Sequence, residues 1–224
     1  MGKLCIPIVE TTVEKALIAI KKASQLADLV EIRVDYLKTV SLTPFLESRH
    51  KPLIITNRRG EEGGQYKGEE RKRLAVLQEA VDLEGDYIDV EWATERPYLR
   101  SLIRNKGGTQ VVLSFHDFHR TPSLKELQRL FDQMVRLGAD VIKIVPLARS
   151  WEDNLSILSL IPFAKRRRQK IVAFCMGEKG RISRIFSPFL GASWTYASLR
   201  RGKASAPGQM TVGEMKEIWE KLKL

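Results

Sequence analysis

The sequence predicts an α/β fold of the (β/α)8 type, a TIM barrel, in which residues 1–224 form a single domain. Two observations carry this prediction. Eight short apolar runs alternate with eight amphipathic, helix-like segments, and turn or capping residues separate many of them. The chain also has 224 residues and a hydrophobic content of 43%, which suit eight compact strand–helix units around one core.

The predicted strands are aliphatic or β-branched runs, and each precedes a segment with helical periodicity. Strands are expected at residues 4–9, 29–34, 53–57, 87–91, 110–115, 141–145, 171–175 and 194–198. Helices are expected at residues 13–25, 43–48, 69–81, 96–105, 124–137, 154–166, 182–187 and 212–224. Thr12 and Ser123 provide helix-start signals, and Gly85 and Gly138 mark turns between helices and strands.

A doubly wound parallel sheet is the alternative fold. If such a sheet bound a dinucleotide, its first strand–helix turn would carry a glycine-rich phosphate-binding sequence, but this turn is Val9-Glu-Thr-Thr12. The barrel is therefore favoured. Its functional residues should lie at the carboxyl ends of the strands.

The chain is strongly basic, with a formal net charge of +11 and a pI near 9.7. Clustered lysines and arginines would suit a nucleic-acid partner, because they release counterions from phosphates. The densest cluster, Lys165-Arg-Arg-Arg-Gln-Lys170, falls where a helix should end, and cations there complement the helix dipole. A solvated cationic surface that attracts an anionic metabolite is favoured over a nucleic-acid site.

No targeting or metal-binding signal is evident in the sequence. The apolar run at the amino terminus is too short for a signal peptide, and no stretch reaches the length of a membrane span. We therefore expect a cytoplasmic protein with no membrane partner. Cys5 and Cys175 are too few for a disulfide framework and have no close His or Cys partner, which predicts two buried free thiols.

Lys143 is a lone cation inside an apolar, β-branched run at residues 138–148. Burial disfavours an ammonium ion, so this position favours the neutral amine, which is a nucleophile able to form a Schiff base with a carbonyl substrate. The alternative is a lysine whose head reaches water or pairs with a carboxylate.

Polar residues recur on one face of five successive predicted strands. Because side chains alternate between the two faces of a strand, residues two apart share a face. These groups are Glu31, Arg33 and Asp35; Thr56 and Arg58; Asp89 and Glu91; Ser114 and His116; and Lys143. Any one group has a structural explanation as ion-pair or hydrogen-bond partners. Together they indicate a polar pocket around an amine, since unpaired buried charge is costly.

Six segments of the chain resemble, in order, those of the type I 3-dehydroquinate dehydratase family. They are Glu31-Ile-Arg-Val-Asp35, Thr56-Asn-Arg-Arg-Gly-Glu-Glu-Gly-Gly64, Ser114-Phe-His-Asp-Phe-His-Arg-Thr-Pro122, Gly138-Ala-Asp-Val-Ile-Lys143, Met176-Gly-Glu-Lys-Gly-Arg-Ile-Ser-Arg184 and Ser205-Ala-Pro-Gly-Gln209. The resemblance implies a (β/α)8 barrel that dehydrates 3-dehydroquinate in the shikimate pathway, without a metal or an organic cofactor. It also implies a homodimer.

The resemblance implies catalytic roles for Lys143, His116 and Glu62. Lys143 would form an imine with the C3 ketone, and His116 would remove the C2 proton and return it to the departing C1 hydroxyl. An imidazole near its reference pKa would suit both duties. Glu62 would orient the histidine. His119 is assigned no catalytic role, and His50 is expected at the surface.

The resemblance also implies a substrate-binding set. Arg184 would pair with the substrate carboxylate. The other expected members are Glu31, Arg33, Arg58, Ser205, Gln209, Met176 and Tyr196. Ser205 and Gln209 lie in a loop expected to close over the substrate. Another Schiff-base barrel enzyme, such as an aldolase or transaldolase, remains the nearest alternative, and its sugar phosphate would require the loops after the last two strands to bind phosphate.

Overall fold

The computed structural model describes residues 2–224 and confirms the (β/α)8 barrel. The strands are β1 (Leu4–Ile8), β2 (Leu29–Arg33), β3 (Leu53–Thr56), β4 (Tyr87–Glu91), β5 (Gln110–Asp117), β6 (Val141–Pro146), β7 (Lys170–Ala173) and β8 (Thr195–Tyr196). All paired strands are parallel, and β1 pairs with both β2 and β8. Within residues 2–224 no ladder joins β7 to β8, so the barrel is nearly closed. The return of β8 to β1 excludes the doubly wound alternative.

One helix follows each strand, close to the predicted positions. The helices are α1 (Val13–Ser24), α2 (Thr43–Glu47), α3 (Glu70–Asp82), α4 (Arg96–Arg104), α5 (Leu124–Arg136), α6 (Asp153–Arg166), α7 (Arg181–Phe186) and α8 (Val212–Lys221). The predicted start signals are confirmed, because Thr12 accepts a hydrogen bond from Lys15 N and Ser123 forms a capping box with Glu126.

Alternation along the strands divides the core into two layers. On β6, Ile142 and Ile144 belong to the layer between the sheet and the helices, whereas Val141 and Val145 belong to the layer inside the barrel. Lys143, between the two valines on the same face, therefore points into the barrel. The same alternation places the polar residues of β2 and β4 inside.

The two ends of the barrel interior differ in chemistry. The amino-terminal end is filled by apolar side chains and by Tyr87 and Trp194, whose rings meet edge to face with centroids 5.7 Å apart. The carboxyl-terminal end holds the polar side chains. This arrangement leaves one end of the barrel for packing and the other for chemistry.

Seven of the eight predicted strands differ from the structure by one or two residues at one or both ends, and β4 matches at both. Two of these differences have a clear structural cause. β2 ends at Arg33 and continues as a 3₁₀ turn at Val34–Tyr36, so Asp35 leaves the strand. The turn brings the Asp35 carboxylate onto the Arg33 guanidinium, with N–O distances of 2.9 and 2.7 Å. β8 has only two residues, because the chain after it bonds to its own following loop, with Ser198 N donating to Met210 O.

The cysteine prediction is confirmed, since Cys5 and Cys175 are buried free thiols. A search of the described residues found no helix of the length and apolar character that a membrane crossing requires.

Candidate active site

All the predicted site residues line one cavity at the carboxyl ends of the strands. They are Glu31, Arg33, Arg58, Glu62, His116, Lys143, Met176, Arg184, Tyr196, Ser205 and Gln209. The cavity and its open mouth enclose about 480 Å³. Residues from four strands, from α7 and from the loops after β3, β7 and β8 therefore meet at one place, although up to 178 positions separate them in the chain.

Lys143 points into this cavity, with its side chain only 6% exposed. Its ammonium nitrogen lies 2.8 Å from Asp89 Oδ2, 3.2 Å from the Tyr196 hydroxyl and 3.6 Å from Glu31 Oε1. The strand itself is apolar, as its sequence indicates, but the neighbouring strands supply two carboxylates and a hydroxyl around the nitrogen. Asp89 and Tyr196 accept hydrogen bonds from Lys143, and Glu31 lies within ion-pair distance.

Asp89 is the direct partner of Lys143 and also of Arg58. The Arg58 guanidinium lies 2.7 Å from Asp89 Oδ1, 2.8 Å from Ser114 Oγ and 3.1 Å from Glu91 Oε1. Burial alone would raise the pKa of Asp89, but the positive charges of Arg58 and Lys143 outweigh burial and hold that pKa well below its usual value. Burial likewise lowers the pKa of Arg58, but Asp89 and Glu91 outweigh it and hold that pKa well above its usual value.

The strand pattern had placed Asp89 and Glu91 on the inner face, but neither was among the predicted site residues. Arg73, which extends their network, was missed entirely. It is fully buried, lies 2.5 Å from Glu91 Oε2, and forms two hydrogen bonds of 2.8 Å with Glu70. Arg73 belongs to α3, where basic residues are frequent, so nothing in the sequence distinguishes it from a surface arginine. We call Lys143, Asp89, Arg58, Glu91 and Arg73 the charge network.

His116 and Glu62 form a pair across the cavity, with 3.0 Å between His116 Nδ1 and Glu62 Oε2. Both side chains are 10% exposed. Burial raises the pKa of Glu62 to about 7 against the opposing attraction of Arg58. Burial, together with Arg58 and Lys143, lowers the pKa of His116 well below its usual value.

The expectation of an imidazole near its reference pKa was therefore wrong. The environment favours a neutral ring at neutral pH, because two nearby cations and poor solvation both penalise the imidazolium. With Nδ1 held by Glu62, Nε2 is left as the nitrogen able to accept a proton from a ligand.

Arg184 forms the opposite wall, and its charge is not balanced by the protein. It lies on α7 and is 1% exposed, yet Nε and Nη2 have no hydrogen-bond partner within residues 2–224. Nη1 makes one long contact of 3.4 Å with Tyr196 O, and the guanidinium lies over the Phe174 ring, 4.3 Å from its centroid. Burial lowers the pKa of Arg184 to about 10. This side chain is arranged to receive an anion.

The loop after β8 covers the cavity. Within it, the Ser205 backbone N–H donates to Gln209 Oε1 at 2.7 Å, and the Ser205 hydroxyl makes a longer contact of 3.4 Å with the same oxygen, so the Gln209 side chain is held at the mouth. Gly208 has a φ of +73°, and a Cβ there would come within 2.1 Å of Gly177 O, so only glycine permits this approach to the loop after β7. Lys203 pairs with Glu10 at 2.8 Å. These contacts hold the loop over Lys143.

The remaining histidines lie outside the site. His50 is exposed, as predicted, and His119, to which no catalytic role was assigned, is exposed as well. Within residues 2–224, no three His, Cys, Asp or Glu side chains are grouped so as to hold a metal ion.

The fold and the cavity define a (β/α)8 barrel enzyme in which a buried lysine faces a histidine–carboxylate pair and an unpaired arginine. The model of one family, type I 3-dehydroquinase, matches residues 4–223. The chain belongs to this family.

Relatives with curated names agree with the family match. The chain is 37% identical over 223 residues to the 3-dehydroquinate dehydratase of Methanocaldococcus jannaschii, which covers 99% of each chain. It is 43% identical over 194 residues to that of Thermococcus gammatolerans, covering 86% of each.

Solved structures give the same result. The type I 3-dehydroquinate dehydratase of Clostridium difficile, solved with covalently modified comenic acid, matches with a TM-score of 0.89 at 25% identity, over 99% of this chain and 92% of that chain. The Aquifex aeolicus 3-dehydroquinate dehydratase matches with a TM-score of 0.81 at 29% identity, over 98% of each chain. A 3-hexulose-6-phosphate synthase from Salmonella typhimurium, at 20% identity and a TM-score of 0.60, shares the fold alone.

Proposed function

We propose that the protein dehydrates 3-dehydroquinate to 3-dehydroshikimate through a Schiff base on Lys143, as a step of the shikimate pathway. One observation carries the proposal: the Lys143 amine, the His116–Glu62 pair and the unpaired Arg184 guanidinium all face one cavity. These are the groups needed to bind a carboxylate, form an imine with a ketone and move a proton. The names of the relatives support the choice of substrate.

The reaction begins at Lys143. Its nitrogen adds to the C3 ketone, and loss of water leaves an iminium whose positive charge lies near Asp89 and Glu31. Those carboxylates stabilise the cation in a poorly solvated site. The iminium withdraws electrons from the neighbouring carbon and acidifies its C2 proton.

His116 then acts as the base. Its ring is neutral before the step, and the contact with Glu62 leaves Nε2 to receive the C2 proton. The low pKa of His116 has a second consequence, because an imidazolium in this environment is a strong acid. It therefore passes the proton to the departing C1 hydroxyl, which leaves as water, and the elimination is complete.

Arg184 holds the substrate carboxylate by two parallel hydrogen bonds from Nε and Nη2, the two nitrogens that the protein leaves unpaired. Glu31, Ser205 and Gln209 offer hydrogen-bonding groups to the ring hydroxyls at the other side of the cavity. Met176 supplies an apolar wall. Arg33 and Arg58 already bind carboxylates of the protein, so their part is to set the charge of the cavity.

The loop over the mouth protects the imine. Water that reached the iminium before elimination would return the substrate unchanged, so a closed loop raises the fraction of imines that react onward.

The direct test is an ultraviolet assay for the conjugated enone product, with purified protein and 3-dehydroquinate. We expect turnover that a chelator leaves unchanged. His116→Ala should reduce kcat by about a thousandfold, within the range for general acid–base catalysis. His119→Ala is the matched control, because His119 lies three residues away and is exposed, and it should retain normal turnover. Absence of the enone with the unmodified protein would reject the proposed activity.

The family resemblance implies a homodimer, and from the sequence itself we expect a cytoplasmic protein without a nucleic-acid partner. Light scattering of the purified protein checks the dimer. Retention on a polyanion column that collapses in moderate salt, together with no turnover of 3-dehydroquinate, would favour a nucleic-acid-binding function instead.

A further inference from the structure

Tyr196 places a neutral hydroxyl against the reacting nitrogen. It lies on β8, is 4% exposed, and its hydroxyl oxygen is 3.2 Å from Lys143 Nζ. The same nitrogen lies 4.5 Å from the centre of the Tyr196 ring, which packs against Phe174 with centroids 6.0 Å apart. The ring is thus fixed, and its hydroxyl is the neutral group among the three that surround Nζ.

Imine formation requires protons to move from nitrogen to oxygen. An ammonium and a ketone become an iminium and water, so the two hydrogens of that water come from the lysine nitrogen and no proton is gained or lost overall. The first proton moves as the nitrogen–carbon bond forms and the carbonyl oxygen becomes a hydroxyl. The second moves as the carbon–oxygen bond breaks and water leaves. A group that helps must accept from nitrogen and donate to oxygen.

The charged neighbours of Nζ are poorly suited to this exchange. Asp89 accepts from Arg58, Ser114 and Lys143, and these contacts favour its ionised form, which has no proton to donate. Glu31 Oε1 already accepts a hydrogen bond from Thr56 Oγ1 at 2.7 Å. His116 is engaged through Nδ1 with Glu62, and within residues 2–224 it makes no hydrogen bond to Lys143 Nζ. A hydroxyl both accepts and donates, so Tyr196 meets the requirement without changing its charge.

We propose that Tyr196 relays protons between Lys143 Nζ and the ketone oxygen during formation and hydrolysis of the imine. This inference rests on the proposed function and adds a catalytic residue to it. In each step the phenolic oxygen accepts a proton from nitrogen while the phenolic proton passes to the substrate oxygen. In the first step the carbonyl π bond breaks. In the second the carbon–oxygen single bond breaks and water departs. Hydrolysis follows the same path in reverse.

The test measures imine formation apart from elimination. Protein and 3-dehydroquinate are mixed, quenched in borohydride at successive times, and the reduced adduct on Lys143 is quantified by mass. Tyr196→Phe keeps the ring and removes the hydroxyl, and adduct formation should slow by about a hundredfold, at the lower end of proton-transfer contributions. Tyr87→Phe is the matched control, since Tyr87 lies at the opposite end of the barrel interior, and it should form the adduct at the normal rate.

A second measurement separates a relay from a packing role. With substrate deuterated at C2, the isotope effect on kcat should fall toward unity in Tyr196→Phe, because imine formation then limits turnover. A variant that forms the adduct at the unmodified rate, or that keeps the full isotope effect, would overturn the relay.

A third measurement needs no variant and decides the question if Tyr196→Phe fails to fold. A relay moves two protons in one step. A plot of the rate of adduct formation by the unmodified protein against the deuterium fraction of the solvent should therefore be curved rather than linear. A straight line, or no dependence, would rule out the relay. In either case the adduct on Lys143 still forms, so failure of this inference is distinct from failure of the proposed function.

Discussion

Two buried arginines face the same cavity from opposite walls, and their surroundings are opposite too. Arg58 is bound by Asp89, Glu91 and Ser114, and although burial disfavours its charge, the carboxylates hold its pKa well above its usual value. Arg184 has two unpaired nitrogens, and burial lowers its pKa to about 10. The first arginine is therefore paired within the folded protein. We infer that the second, which has no carboxylate partner within residues 2–224, is held for an anionic ligand.

This difference distinguishes two kinds of buried cation in one site: one that stabilises the fold by pairing with protein carboxylates, and one that is available to bind a ligand. A buried cation without partners costs folding free energy, and it is retained when something else supplies the missing anion. Arg184 meets this description, whereas Arg58 is one member of the charge network that also holds Lys143. The same substitution at the two positions should therefore have different consequences.

Arg58→Met should give the largest effect on stability. It leaves the fully buried Asp89 and Glu91 side chains with one cation each. Removing one partner from a buried ion network costs about 3–5 kcal/mol, and we expect the free energy of unfolding to fall by about the lower of these values. Denaturant titration measures the change. An unchanged unfolding free energy would mean that Arg58 does not stabilise the fold.

Arg184→Met should affect substrate binding rather than stability, the opposite of Arg58→Met. We expect an unfolding free energy equal to or above that of the unmodified protein, because an unpaired buried cation is removed. Substrate binding should suffer instead, with kcat/KM lower by about a hundredfold, as expected for the loss of about 3 kcal/mol from charge-assisted hydrogen bonds. Steady-state kinetics and denaturant titration of the same preparation check both parts. A loss of stability as large as that of Arg58→Met would contradict the distinction.

Glu62→Gln should have the smallest effect, and one that depends on pH. The pKa of Glu62 is about 7 in the folded protein and 4.5 in its reference state. A carboxyl whose pKa is raised by folding binds more protons in the folded state, so its contribution to stability falls as pH rises from 4.5 to 7. We therefore compare the free energy of unfolding of Glu62→Gln with that of the unmodified protein. The variant should gain about 2 kcal/mol relative to the unmodified protein when the pH is raised from 5 to 7.

The pH profile of each protein alone does not isolate Glu62. The lowered pKa of His116 has the opposite effect on stability. Below about pH 6.5 this histidine binds a proton in the unfolded chain but not in the folded protein, so its contribution to the free energy of unfolding rises with pH. Both proteins contain His116, so subtracting the unfolding free energy of one from that of the other at each pH removes the contribution of this histidine. Glu61→Gln is the matched control, because the Glu61 side chain is 79% exposed, and it should show no such difference. An equal response of both variants would contradict the raised pKa of Glu62.

The fold was predictable because its signals are local. Alternation along each strand is set by backbone geometry, and it correctly placed Lys143, Asp89 and Glu91 inside the barrel. The exception was Asp35, which the alternation placed on the inner face although the strand ends at Arg33 and a turn follows. The alternation of a single strand does not show whether the strand continues.

The electrostatics of the site were less predictable, since they depend on residues far apart in the chain. A polar pocket around Lys143 was predicted, but its direct partner Asp89, which lies 54 positions away, was not identified. Burial and the cations Arg58 and Lys143 lower the pKa of His116, but its own segment shows none of these causes. Likewise, the family resemblance identified Arg184 as a ligand-binding residue, but its unpaired state is visible only in three dimensions.

The central claim is that Lys143 forms an imine with the substrate, and borohydride reduction tests it most directly. We predict that the protein, treated with borohydride in the presence of 3-dehydroquinate, acquires one stable adduct and that peptide mapping locates it on Lys143. A Lys143→Met variant treated in the same way should acquire none. An adduct on another lysine, or enone production with no adduct under any quench, would contradict the claim.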